Sequence, residues 1–442
     1  MKAAIVGTRL VAGAALFALS SGMLAAQATK SYAAQAAGWR KQIKQTLYVP
    51  DKLPPLEAKV WSSFSPVPGV IADRVTYRTA SGMLVPAIVY RPEHWVGEAK
   101  GAKLPGIVIV NGHGADKFSW YAFYSGMMFA QAGAEVVTYD PIGEGERNLE
   151  KKSQAGAHDG IVQTPEGVPA DDWGQRLAGL MQVDLMQAVT YLTQRPEVDA
   201  GRIAVLGYSM GAFVSGIAGA IDPRIHAVLL SGGGTYDDAG DGAKTFDGGR
   251  LPCQTPPWKA LRVLGDEPHR RGAAIYALNA DRGAMLVENG AVDEVMDIPH
   301  HGPEWFDRVR QQAIGLRGSD RNMFTTHVDE GRGHRPAWVE RAGVVWLNEQ
   351  IHFANWTAAT IAVTTPVRIG DWARANAVEI PKNYQREDRE GGLMALGGAL
   401  PGIAREQLMA LPAGDWEKLR SELTYESWAE KTLAAEQAEA RR

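Results

Sequence analysis

Residues 202–216, RIAVLGYSMGAFVSG, place Ser209 between Gly207 and Gly211, directly after the apolar run Ile203-Ala204-Val205-Leu206. A strand that only packs has no use for a serine there. A strand that turns abruptly into a helix holds the serine in a strained bend with its Oγ exposed, and the flanking glycines leave room for the turn. The chemistry this offers is nucleophilic attack by a hydroxyl. A serine hydroxyl is a weak nucleophile until a neighbouring base takes its proton.

Ten histidines compete for the role of base. His94, His158, His269, His300 and His301 fall in loops or insertions upstream of the last strand. His226 opens a strand, His327 lies inside one and His352 ends a helix. His334, in VDEGRGHRP, follows the last strand and precedes the last helix of the repeating pattern, where a nucleophile–acid–base chain order puts the base. The acid belongs in the loop after the preceding strand, AMLVENG. Asp293 lies three residues past Gly290, with Glu294, Asp297 and Glu288 as rivals and Asp237 or Asp238 as candidates from an earlier strand. Its work is to hold the imidazole tautomer and stabilise the imidazolium. The glycine-rich turn NGHGADK after the first core strand offers backbone N–H groups to a developing oxyanion. We assign one donor to the N–H of His113, with Gly114 as its rival, and the other to Met210, the residue after the nucleophile. The adjacent pair His300-His301 has no carboxylate or third histidine at ligand spacing, so no metal is expected, and the chemistry needs no organic cofactor.

The elements that must position these residues are legible as period-two and period-3.6 patterns. DRVTYRTASGMLVPAIVYRP reads as a hairpin, and LPGIVIV, AEVVTYD, RIAVLG, HAVLLSG, AMLVENG and MFTTHV read as strands. Helical spacing covers SWYAFYSGMMFAQAG, WGQRLAGLMQVDLMQAVTYLTQ, MGAFVSGIAGAI and AWVERAGVVWLNEQIHF. Alternating apolar strands and helices predict an α/β fold with a mostly parallel central sheet and helices on both faces. Two Gly-, Asp- and Pro-rich insertions, residues 148–172 and 232–272, follow strands and are candidate walls of a cleft. Trp120, Tyr121, Tyr124, Trp173 and Trp258 could stack on a sugar, although packing is the commoner use of such rings.

The 442 residues carry a formal net charge of −4, with 45% apolar and 22% charged residues, an ordinary balance for a globular chain with no nucleic-acid signature. Lys2 and Arg9, an apolar stretch from Leu10 to Leu24, and Ala26-Gln27-Ala28 form the three parts of a signal peptide. The apolar core is shorter than the ~20 residues of a membrane span, so an exported, periplasmic or secreted protein with no stable span after cleavage is expected. Cys253 is the single cysteine, in a loop-like context, and reads as structural. The chain divides into a signal peptide (1–28), an N-terminal arm (29–70), a catalytic domain (71–353) and a C-terminal helical extension (354–442).

Taken in order, NGHGADK, YDPIGEGER, GYSMG, NGAVDEV and GRGHRP resemble the α/β-hydrolase fold superfamily, over roughly residues 70–352. Within it the chain is similar to exported acetyl-xylan-esterase-like and dienelactone-hydrolase-like serine esterases. Those commonly carry a glycine/histidine oxyanion loop with a nearby lysine and a DPxGxGER-like turn, here Asp140 to Arg147. Asn111 departs from the histidine common at the start of that loop, and the C-terminal extension matches no part of the pattern. The resemblance implies cleavage of a carboxylic ester through an acyl-enzyme on Ser209, with acetyl or other acyl esters of carbohydrates as the candidate substrates. Two alternatives are an aminopeptidase similar to prolyl oligopeptidases but without their β-propeller, and a non-catalytic binding protein on the same fold. About 40 residues between signal peptide and first hairpin are too few for a propeller.

Overall fold

The computed structural model describes residues 32–154, 156, 170–237, 260–265, 267–302, 304–398 and 400–440. The signal-peptide pattern, Cys253, Trp258, His158, Asp238 and most of both insertions lie outside the described residues. No described helix is long and apolar enough to cross a membrane.

Among the described residues nine strands form one sheet in the order β1-β2-β3-β5-β4-β6-β7-β8-β9. They are β1 (Lys59–Val67), β2 (Val70–Arg78), β3 (Leu84–Pro92), β4 (Leu104–Val110), β5 (Glu135–Tyr139), β6 (Val198–Tyr208), β7 (Ala227–Ser231), β8 (Ala284–Gly290) and β9 (Thr325–Asp329). The first three strands and the β3–β5 pair run antiparallel. From β5 to β9 every neighbouring pair is parallel, as the alternation of apolar strands and helices requires. β4 and β5 are buried along their whole length, which is why β4 reads as an unbroken apolar run rather than an alternating one.

Alternation survives in which face each side chain serves. Ile203 and Val205 of β6 join the core layer that holds Leu177, Met181 and Ile217, whereas Ala204, Leu206 and Tyr208 join the layer that holds Tyr121, Trp338 and Leu347. The helices Ala170–Gln194, Met210–Ile221 and Arg270–Ala280 cover the first face, and Trp120–Ala132 and Arg341–Ile351 cover the second.

Two stretches differ from the sequence reading. Residues 29–70, read as an arm with proline-rich turns, contain a helix over 32–46 and the whole of β1. β1 is a half-exposed edge strand that tolerates Pro66, so it lacks the apolar run that marks the central strands. The helix Arg270–Ala280 begins inside the segment read as an insertion. It is buried from Arg271 to Ala280, so it has no polar face to give a 3.6-residue rhythm.

The C-terminal segment wraps the sheet. Ile361, Ile369, Trp372, Leu393 and Leu400 enter the second core layer, Trp416 and Leu423 pack with Leu84, and Tyr425 and Trp428 reach the first layer. A buried charge cluster anchors it. Lys117 pairs with Asp140 and, at 2.8 Å, with Glu146. The Glu146 carboxylate also accepts the Ala410 and Leu411 N–H groups at 2.7 and 3.1 Å.

Candidate active site

The elbow forms as its glycines imply. Ser209 has φ 55° and ψ −119°, a sparsely populated conformation for a non-glycine residue, held between β6 and the helix Met210–Ile221. A Cβ on Gly207 would sit 2.2 Å from the Gly211 carbonyl oxygen, and one on Gly211 would sit 2.2 Å from that of Val110. Backbone cannot yield that much locally. Gly211→Ala is therefore expected to destabilise the protein by on the order of 1–3 kcal/mol or more, read as a lower urea midpoint with an unchanged slope. A variant as stable as the parent would mean that β4 does not press on the elbow.

Every site residue expected from the sequence lies past the carboxyl end of a parallel strand. Ser209 follows β6, Asp293 follows β8, His334 follows β9 and His113 follows β4. His334 Nδ1 lies 2.8 Å from Asp293 Oδ2, both side chains buried. The other Asp293 oxygen accepts the Val295 and Met296 N–H groups at 2.9 and 3.0 Å. Burial opposes the charge on Asp293, but the imidazole and the two backbone donors outweigh it and hold the carboxyl below its ordinary value. An ionised carboxylate only accepts hydrogen bonds, so Nδ1 carries a proton and donates it to Asp293.

The rival acids have other positions. Glu294 is exposed, and Asp297 is half-buried at the start of a short helix. Asp237 accepts the Gly272 N–H at 2.6 Å. Glu288 lies 3.3 Å from His327 Nδ1, whose other nitrogen is 3.1 Å from Asp329. These three groups could hold a metal ion by spacing, but Arg335 is paired with Asp329 and with Glu340, which makes the group an ion-pair network with its cation already in place.

One residue that the sequence reading passed over ties the elbow to the loop that carries His334. Ser231, at the end of β7, accepts the Ser209 N–H at 2.9 Å through its main-chain oxygen. Its hydroxyl donates to the Arg335 carbonyl and accepts the Ala337 N–H, each at 2.8 Å. A Cβ at the next position, Gly232, would lie 2.9 Å from His334 Cε1. The His334 ring is 4.9 Å from that of Tyr208, the residue before the serine.

The loop after β4 also closes on the serine, since a Cβ at Gly112 would lie 3.2 Å from Ser209 Cβ. Its course is fixed by Tyr121 Oη, which accepts the Gly112 N–H at 3.1 Å, and by Asn111, whose amide donates to the Tyr139 carbonyl at 2.9 Å. His113 is half-buried beside it, and Met210 opens the helix, where main-chain N–H groups have no intrahelical acceptor.

These features decide the architecture: a strained serine turn after β6 of a mostly parallel sheet, with an aspartate–histidine pair delivered by the loops after β8 and β9. The fold is that of the α/β-hydrolases. A model of the prolyl oligopeptidase family matches residues 171–360. Methylesterase BT1017 is 17% identical, with a TM-score of 0.56 over 93% of this chain and 76% of its own. An acetyl xylan esterase from Paenibacillus sp. R4 is 18% identical with a TM-score of 0.45, covering 71% of this chain and 93% of its own. Thiohydrolase apmlB of Arthrinium phaeospermum is 26% identical over 159 residues, 36% of this chain. The match spans 42% of that relative's length.

In this fold the aromatic residues considered for sugar stacking serve as packing, the commoner use of such rings. Trp120, Tyr121, Tyr124 and Trp173 are each at most 3% exposed. Trp120 packs tilted and Tyr124 edge-on against Trp372, Tyr121 packs against Tyr208 and Trp338, and Trp173 packs against Trp428. They are core residues, and four of these contacts reach into the extension or the base loop.

Proposed function

We propose that this α/β-hydrolase is a serine esterase that cleaves carboxylic esters through an acyl-enzyme on Ser209. The observation that carries the reading is the buried 2.8 Å contact between His334 Nδ1 and Asp293, held by Ser231 to the same strand end as the serine elbow. Ser209 Oγ attacks the ester carbonyl carbon as its proton passes to His334 Nε2. The N–H groups of His113 and Met210 take the tetrahedral oxyanion. Losing one such donor costs on the order of 3 kcal/mol in the barrier. The imidazolium then gives its proton to the departing alkoxide, the C–O bond breaks and the alcohol leaves. Water, deprotonated by the same nitrogen, attacks the acyl carbonyl and releases the acid and the free hydroxyl. Asp293 stays ionised and stabilises the imidazolium in both halves.

Small acyl esters, among them acetyl esters of carbohydrates, are the proposed substrate class. The methylesterase and acetyl xylan esterase names belong to proteins of the same architecture and suggest which esters to try. The leader-like pattern of residues 1–28 supports an exported enzyme. A peptidase reading is favoured by one observation, the prolyl oligopeptidase family match over residues 171–360. Parallel assays of p-nitrophenyl acetate, acetylated xylan and the p-nitroanilides of proline and alanine separate the two. We expect turnover of the esters and none of the anilides. Anilide turnover exceeding that of the esters would replace the esterase reading with the peptidase one.

A further inference from the structure

The C-terminal segment, which matches no part of the sequence pattern, carries a carboxylate to the back of the site. Glu390 is 4% exposed. Its Oε2 accepts the Trp120 indole N–H at 2.6 Å and its Oε1 accepts the Tyr208 hydroxyl at 3.1 Å. Tyr208 stands between Glu390 and the base, with its ring against His334 and its backbone leading into Ser209. The same segment grips the base loop by its main chain. Gly333, next to His334, donates its N–H to the Asp388 carbonyl at 2.5 Å, and Arg332 Nη1 donates to the Glu387 carbonyl at 3.0 Å.

Resting on the esterase reading above, we infer that Glu390 is a positioning residue for the base: through Tyr208 it fixes the face of the imidazole and sets a second negative charge near it, beside that of Asp293. Two donors meeting two carboxylate oxygens is the pattern of an ionised acceptor, and a neutral side chain would leave one of those contacts weaker. The titratable groups that face Glu390 are Tyr121, Tyr208, Tyr384, Arg389 and His334. Burial pushes its carboxyl above the ordinary value, while the Trp120 and Tyr208 bonds, His334 and Arg389 pull it back. A charge on Glu390 and a charge on the imidazole therefore favour each other.

The sign of the effect follows. Removing the negative charge makes the imidazolium easier to deprotonate, so the acid limb of kcat/KM moves to lower pH. Glu390→Gln keeps the shape and is expected to shift that limb down by about half a unit or more, with kcat lowered several-fold and KM for p-nitrophenyl acetate unchanged. A folded variant, melting with the parent, whose acid limb coincides with the parent's overturns the inference. Tyr208→Phe keeps the ring and removes only the bond to Glu390, and it stands in if Glu390→Gln does not fold. Without that bond burial drives the Glu390 carboxyl further toward its neutral form, so the limb is expected to move the same way, and an unmoved limb there overturns the inference equally. Wild-type turnover and covalent labelling of Ser209 by a fluorophosphonate are measured first. A wild type that does neither removes the esterase reading and this inference with it. A normal wild type with an unmoved limb removes only the role of Glu390.

Discussion

Ser209→Ala is expected to lower kcat for p-nitrophenyl acetate by on the order of a millionfold while leaving the fold intact. The variant loses the attacking oxygen, and the base and acid then have nothing to activate. What remains is binding and the oxyanion donors, so residual hydrolysis should persist at the level those supply. Alanine at this position also keeps the strained backbone, which the tight packing of Gly207 and Gly211 imposes whatever the side chain. The thermal midpoint should therefore stay close to the parent's, and substrate affinity with it. A variant that retains a tenth of the parent's rate in a preparation free of other esterases would place the nucleophile elsewhere.

Asp293→Asn has the second largest expected effect, a loss on the order of ten thousandfold in kcat. The amide can accept the Val295 and Met296 N–H groups through its oxygen, so the loop should keep its shape. Its NH2 then faces His334 Nδ1 as a donor, which forces the ring proton onto Nε2, the nitrogen that must be free to accept from serine. Glu294→Gln and Asp297→Asn leave the rate unchanged on this account, because neither side chain meets the imidazole. A larger loss in either than in Asp293→Asn would reassign the acid. Stability carries its own signature. The Asp293 carboxyl is held below its ordinary value of 3.8, so its stabilising contribution is present above that pH and is lost as pH falls through the lower, folded value. The stability gap between the parent and Asp293→Asn should narrow over the same window.

The parts of the candidate site that were legible in the sequence are those whose signal is local. Ser209 sits in a five-residue pattern framed by a strand and a helix. His334 and Asp293 each occupy a short loop after a strand that its own apolar run announces. Chain order then selected them from ten histidines and several acids. Glu390 had no such signal. Its partners Trp120 and Tyr208 are 270 and 182 residues away, and only the folded chain brings an EGG turn under the elbow. Ser231 was hidden differently, as an ordinary strand-end serine whose hydroxyl and main-chain oxygen bond to the backbone of distant segments.

The aromatic residues near the loop after β4 take the commoner of the two uses that the sequence offered, packing in the core. Their composition invites a carbohydrate platform, yet Trp120 and Tyr124 meet Trp372, a residue that no periodicity pairs with them. The fold itself was legible where strands are buried on both faces, as in β4 and β5. It was not where a strand is an exposed edge, as β1 is, or where a helix is buried all round, as Arg270–Ala280 is. β1 is exposed along most of its length and so shows no apolar run, and Arg270–Ala280 buries Arg271 and Asn279 along with its apolar residues, so neither carries the pattern that would mark it.

The most direct measurement is intact-protein and peptide mass spectrometry after treatment with a fluorophosphonate. One adduct is expected, on Ser209, forming rapidly in the parent, slowly in His334→Ala and not at all in Ser209→Ala, with esterase activity lost in step. Full ester turnover in a parent whose Ser209 stays unmodified would contradict the account.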